Sequence, residues 1–134
     1  MKGLGAVSLK QFQEQVSELL LRHRSLLDVL SKTQQSSASV NRSVIKAITE
    51  CGCINLQANK QQFPLNLTLE EARQWIQTHV NGSLCESCVD TIVAQLGQHL
   101  FYLSAMCNIL DLDMEKIVEK ESKKCSTLGL FNLS

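Results

Sequence analysis

The chain has few of the residues that turn a backbone. One proline and six glycines among 134 residues exclude most sandwiches and barrels, which need many tight turns. Aromatic residues make up only 4% of the sequence, while Leu, Val, Ile and Ala are plentiful, as packed helices require. Charge of one sign is not in excess either. Thirteen Lys and Arg face thirteen Asp and Glu, which argues against a nucleic acid polymer as partner, since such binders carry a basic surplus or stripe. The apolar stretch 3–7 between Met1-Lys2 and Lys10 is too short for a signal-peptide core. The most apolar window, 91–110, carries Gln95, Gln98, His99 and Asn108, so it reads as a buried core helix rather than a membrane span. The four N-x-S/T triplets beginning at Asn41, Asn66, Asn81 and Asn132 have no weight without an export signal. The expectation is a cytoplasmic protein with no membrane partner, whose six cysteines are reduced thiols. Gly-rich phosphate loops, G-x-S-x-G and H-E-x-x-H are all missing.

What remains is helical periodicity. Ser8 and Gln11 form a capping box, and Leu9, Phe12, Val16, Leu19, His23, Leu26 and Leu30 follow at alternating steps of three and four. This a/d seam predicts one long helix over 8–32, packed within its own domain or against another subunit. His23 in a seam slot reads as a packed core histidine. The polar stretch 33–39 reads as a loop. A second helix is expected over 40–60, with Val44, Ala47, Ile48, Cys51, Ile54 and Ala58 as its stripe and Phe63-Pro64 beyond its end. Thr68 and Glu71 cap a short third helix with Leu69, Ala72, Ile76 and Val80 inward, which Asn81-Gly82 stops. Ser83 and Glu86 cap a fourth, central helix reaching about Asn108, and Asp113 starts a fifth ending at Lys123-Lys124. The tail 125–134 has no strong pattern. The fold class is therefore all-α, a bundle of four or five helices in a single domain over 1–134.

Two constellations could carry chemistry. Cys51-Gly-Cys53 and Cys85-Glu-Ser-Cys88 have the look of two halves of a zinc site. On a continuous helix, however, Cys51 and Cys53 point about 200° apart and cannot readily share an ion. A redox pair at Cys85 and Cys88 lacks the strand that usually precedes one, and small buried hydrophobes are the default for most of the six. The second constellation is acidic. Glu86 and Asp90 share a helix face, and Glu50 flanks the stripe of the second helix. If those helices pack antiparallel, the three carboxylates meet and call for a hard cation, Mg²⁺ or Mn²⁺. Alternatively, Glu86 serves Ser83 as a capping partner, Asp90 favours the helix dipole and Glu50 is solvated.

Three segments in order resemble the MazG-like, all-α nucleoside triphosphate pyrophosphohydrolases. Residues 46–60 (KAITECGCINLQANK) are similar to the family's K-L-x-E-E-x-G-E-L-x-x-A helix. Residues 86–93 (ESCVDTIV) are similar to its E-E-x-x-D-v-l motif, and 110–120 (LDLDMEKIVEK) to its later D-l-e-e-a-v-x-e-K segment. The resemblance spans about 40–124, with a longer connection than usual over 61–82. It implies metal ligands at Glu50 and Asp90 and a phosphate contact at Lys120. Two family carboxylates are replaced, by Cys53 and Ser87, and Thr49 stands where an acidic residue is usual. Glu86, about 40° around the helix from Asp90, is the nearest substitute for the one lost at Ser87. The activity implied is Mg²⁺- or Mn²⁺-dependent hydrolysis of a nucleoside triphosphate to monophosphate and pyrophosphate. The alternative is an inactive fold that binds nucleotide or protein, because losing a base alone costs about 10²–10⁴-fold. Both the seam and the resemblance imply a homodimer or higher homo-oligomer.

Overall fold

The computed structural model describes residues 5–20, 25–60 and 68–131. Five α-helices and one two-stranded sheet follow in the order α1 (Leu9–Leu19), α2 (Leu26–Lys46), β1 (Ile54–Leu56), α3 (Leu69–Trp75), β2 (Val80–Gly82), α4 (Glu86–Ile109) and α5 (Met114–Phe131). The all-α expectation is met, with the small sheet as an addition. No helix among the described residues is long and apolar enough to cross a membrane.

Local signals fix several boundaries. Ser8 Oγ accepts from the Gln11 N–H while the Gln11 side chain accepts from the Ser8 N–H. Thr68 and Glu71 form the same reciprocal pair at α3. The expected 8–32 helix is divided. Leu20 leaves helical geometry after α1, and Ser25 precedes α2 in extended conformation. His23, Phe63 and Pro64 lie outside the described residues.

The stretch 33–39 is helical rather than a loop, because its hydroxyls find partners inside the fold. Thr33 Oγ1 donates to the Val29 carbonyl. Buried Ser36 donates to the Thr33 carbonyl and meets His99 Nδ1 of α4 at 2.8 Å. A side chain satisfied across an interface no longer competes with its own helix, and the pair is worth about 1 kcal/mol. The fifth helix runs past Lys123-Lys124 to Phe131. The third ends at Trp75, leaving Ile76 and Val80 exposed, and Asn81-Gly82 belongs to β2.

α4 is central and packs along both α2 and α1. Val16 and Leu20 meet Val29 and Ala105 in one core, flanked by Phe12, Phe101, Met106 and Ile109. The α1 part of the predicted seam is thus spent partly inside the subunit. A second, separate core joins Ala47, Ile54 and Ile92, with Val44, Ile48, Cys53 and Cys88 against it. Gln13 ties α1 to the α4–α5 turn: its side chain donates to the Leu112 carbonyl and accepts from the Met114 N–H, and its carbonyl accepts from Asn108.

Candidate metal centre

The second helix does not continue to residue 60. Beyond Lys46 it widens over Ala47–Cys51, where the Gly52 N–H reaches back five residues to the Ala47 carbonyl at 2.9 Å. Gly52 then takes φ 77°, ψ 9°, the left-handed stop that glycine adopts without a Cβ penalty. Cys53 therefore lies off the helix, ahead of β1. Cys51 and Cys53 are thus not set about 200° apart on one continuous helix and can share an ion.

The sheet brings the second cysteine pair to the first. β1 and β2 are antiparallel with Ile54 opposite Gly82 and Leu56 opposite Val80. Cys53 precedes Ile54, and Cys85 follows Gly82 by three residues. This close approach requires glycine: a Cβ on Gly82 would stand 2.5 Å from the Cys53 carbonyl oxygen, and its φ is +90°. Cys85, rather than Ser83, caps α4, its Sγ accepting from the Cys88 N–H at 3.4 Å.

The four sulfur atoms of Cys51, Cys53, Cys85 and Cys88 lie within 4.8 Å of one another. Cys51 and Cys85 Sγ are 3.7 Å apart, too far for a disulfide, and all four are free thiols. A zinc–sulfur bond of about 2.3 Å makes the edge of a tetrahedron about 3.8 Å. The spacing thus suits one tetrahedral ion. An iron–sulfur cluster distributes its thiolates over several irons and needs them further apart. The floor of the site is the Ala47–Ile54–Ile92 core, and Cys51 at its rim is exposed.

The cluster also divides the protons unequally. The Cys88 N–H, the Cys88 thiol and the Cys51 thiol all favour the Cys85 thiolate, lowering its pKa to about 7. Cys88, beside that sulfur and partly desolvated, is pushed up to about 12. Cys51 accepts a bond from the Cys53 backbone, which favours its thiolate, yet the opposing effects of Cys85, Cys53 and burial leave its pKa raised. An array that resists carrying several negative charges at once is one a divalent cation relieves.

The predicted carboxylate site is arranged differently. Glu50, Glu86 and Asp90 are all exposed. Among the described residues, the four cysteines are the only group of three or more His, Cys, Asp or Glu side chains placed to hold an ion. Glu50 lines a cleft of about 330 Å³ between α2 and α4, with Arg42, Lys46, Ser43, Thr91 and the thiol-bearing Cys51 and Cys88. Glu86 and Asp90 do not line it. Lys120 is exposed on α5, and Ser87 is exposed on the first turn of α4. Cys53, read as a lost carboxylate, is a member of the thiol cluster. The signal that could have found this centre was the glycine between Cys51 and Cys53, a helix stop in plain view.

No protein-family model, no curated protein and no solved structure matches the chain.

Proposed function

We propose that the protein is a metal-binding helical module in which one zinc ion joins the end of α2 to the start of α4. The observation that carries this reading is the convergence of four free thiols within 4.8 Å. Thiolates select zinc over Mg²⁺ or Mn²⁺, and four protein ligands leave no open position for water. The ion's role is accordingly structural. It fixes two segments distant in sequence, adding to the three-residue strand pair and the small Ala47–Ile54–Ile92 core that join them. Protein purified without chelator should contain one zinc per chain by elemental analysis. Cys85→Ser and Cys53→Ser should each lose it, whereas Cys125→Ser on α5 should retain it. Metal-free wild-type protein that fails to take up zinc or cobalt would sink the proposal.

A second reading has its own support. The cleft beside the thiols joins Glu50 to the cations Arg42 and Lys46 and to the hydroxyls of Ser43 and Thr91, a lining suited to a phosphorylated ligand. Such a lining would accept the nucleotide that the MazG-like resemblance implies, with Mg²⁺ or Mn²⁺ held through Glu50 and the substrate phosphates. If nucleoside triphosphates bind there, a panel with Mg²⁺ should raise the melting temperature, and Lys46→Ala should cancel the shift. Release of pyrophosphate, abolished by Glu50→Gln, would make the module a hydrolase. An unchanged melting temperature throughout the panel would remove this second reading and leave the zinc module standing.

A further inference from the structure

The outward face of α4 carries Val89, Val93, Leu96 and Leu100, which are 40%, 59%, 44% and 48% exposed. Their steps of four, three and four make a heptad seam, the pattern by which one helix seats another. α2 and α1 lie on other sides of α4 and leave this seam open. Gly97 lies on the same side, one turn from both Val93 and Leu100. It falls at the middle of the 24-residue helix Glu86–Ile109. A glycine there costs about 1 kcal/mol against alanine, and nothing in the subunit needs it, since a Cβ at Gly97 would meet no atom within 4 Å.

From these features we infer that the open face of α4 is the dimer interface, occupied by α4 of a second copy running antiparallel, with the two-fold axis near Gly97. Two observations select a second copy. Gly97 is central in the helix and exposed Val93 and Leu100 flank it about one turn away on either side, so a two-fold axis near Gly97 lets that part of the patch meet itself. It places Val93 near Leu100 of the second copy, on both sides of the axis. The absence of a side chain at Gly97 lets the two backbones approach at their crossing, as small residues do in close helix pairs. Charge decides the direction. The Asp and Glu of α4 are Glu86 and Asp90, both near its N-terminus, and 86–109 contains no Lys or Arg. Antiparallel pairing keeps these acidic ends apart and opposes the helix dipoles, whereas parallel pairing stacks like charges. The interface lies on α4, whereas the described part of the 8–32 seam lies on α1 and α2.

Sedimentation equilibrium on the zinc-loaded full chain tests this directly. The wild type should sediment at twice the 14.9 kDa chain mass at micromolar concentration. Leu96→Glu and Val93→Lys should each give monomers with unchanged helix content, because both positions are exposed. Gly97→Leu should weaken the dimer about tenfold or more, equivalent to about 1.4 kcal/mol. In the monomeric Leu96→Glu background, Gly97→Ala should instead raise the melting temperature through helix propensity alone. A wild type that remains monomeric overturns the proposal, as does an assembly that survives both Leu96→Glu and Val93→Lys.

Discussion

Stripping the metal with a chelator at mildly acidic pH should open the cysteine end of the protein and leave the Val16–Val29–Ala105 core folded. Structural zinc contributes about 10–16 kcal/mol of apparent binding free energy in small domains, comparable to the whole stability of a typical domain, about 5–15 kcal/mol. Among the described residues, the apolar cluster on that side has only Ala47, Ile54 and Ile92 buried, with Val44 and Ile48 partly buried against it, so this core alone is small. Backbone amides of 52–57 and 79–85 should lose hydrogen-exchange protection, while those around Val29 and Ala105 keep theirs. Protection at 52–57 that is indifferent to chelation would show that the ion does not hold this end.

The pH dependence has a definite sign. Zinc binds thiolates, so affinity falls as protons compete. Above about pH 7 Cys85 is largely ionised already, and the ion displaces no proton from it. Below that value Cys85 also binds a proton in the metal-free protein, and the plot of log affinity against pH should steepen by about one unit of slope. Cys88, pushed up to about 12, releases its proton to the metal on both sides of that break. In the metal-free protein, the lowered Cys85 pKa is a stabilising contribution that is present at high pH and lost as pH falls through about 7.

Gly82→Ala should be among the most damaging single substitutions outside the cysteines. The new Cβ would lie 2.5 Å from the Cys53 carbonyl, a backbone atom that cannot swing aside, and φ +90° is strained for alanine. Strain and overpacking together should cost about 2–4 kcal/mol, with a marked loss of zinc affinity because Cys53 moves. Gly52→Ala is the control: its Cβ would enter open space at φ +77°, so only about 1–2 kcal/mol of left-handed strain applies. Denaturant melts of the zinc-loaded variants compare the two, and equal costs would place the clash argument in error.

Features written in a few neighbouring residues were legible in the sequence. The capping boxes at Ser8 and Thr68 formed as read, because both partners lie within one helical turn. α4 ends one residue from its expected limit. Ser36 was misread because serine favours loops locally, while its satisfying partner, His99, lies 63 residues away. The candidate centre depends on a break in continuity at Gly52. Treating 40–60 as one helix carried the periodicity through Gly52 and set two thiols on opposite faces. Cys85 capping α4 was equally illegible, since sulfur is not a usual N-cap acceptor. Glu86 and Asp90 lie on α4, whereas Glu50 falls in the widened turn Ala47–Cys51 rather than within a continuous helix; the register of β1 on β2 draws sulfur together there, and no pattern of Glu and Asp encodes that register.

The pairing of Ile54 with Gly82 also makes everything from 57 to 79 the contents of a closed loop. The chain enters and leaves it at one point, held by the ladder and, once bound, by the ion. Closure entropy grows only with the logarithm of loop length, about 0.6 kcal/mol for each doubling. The segment carrying α3 can therefore lengthen, shorten or change composition at little thermodynamic expense, while the four residues that clasp its ends cannot. The molecule thus separates a fixed clasp from a region free to diverge.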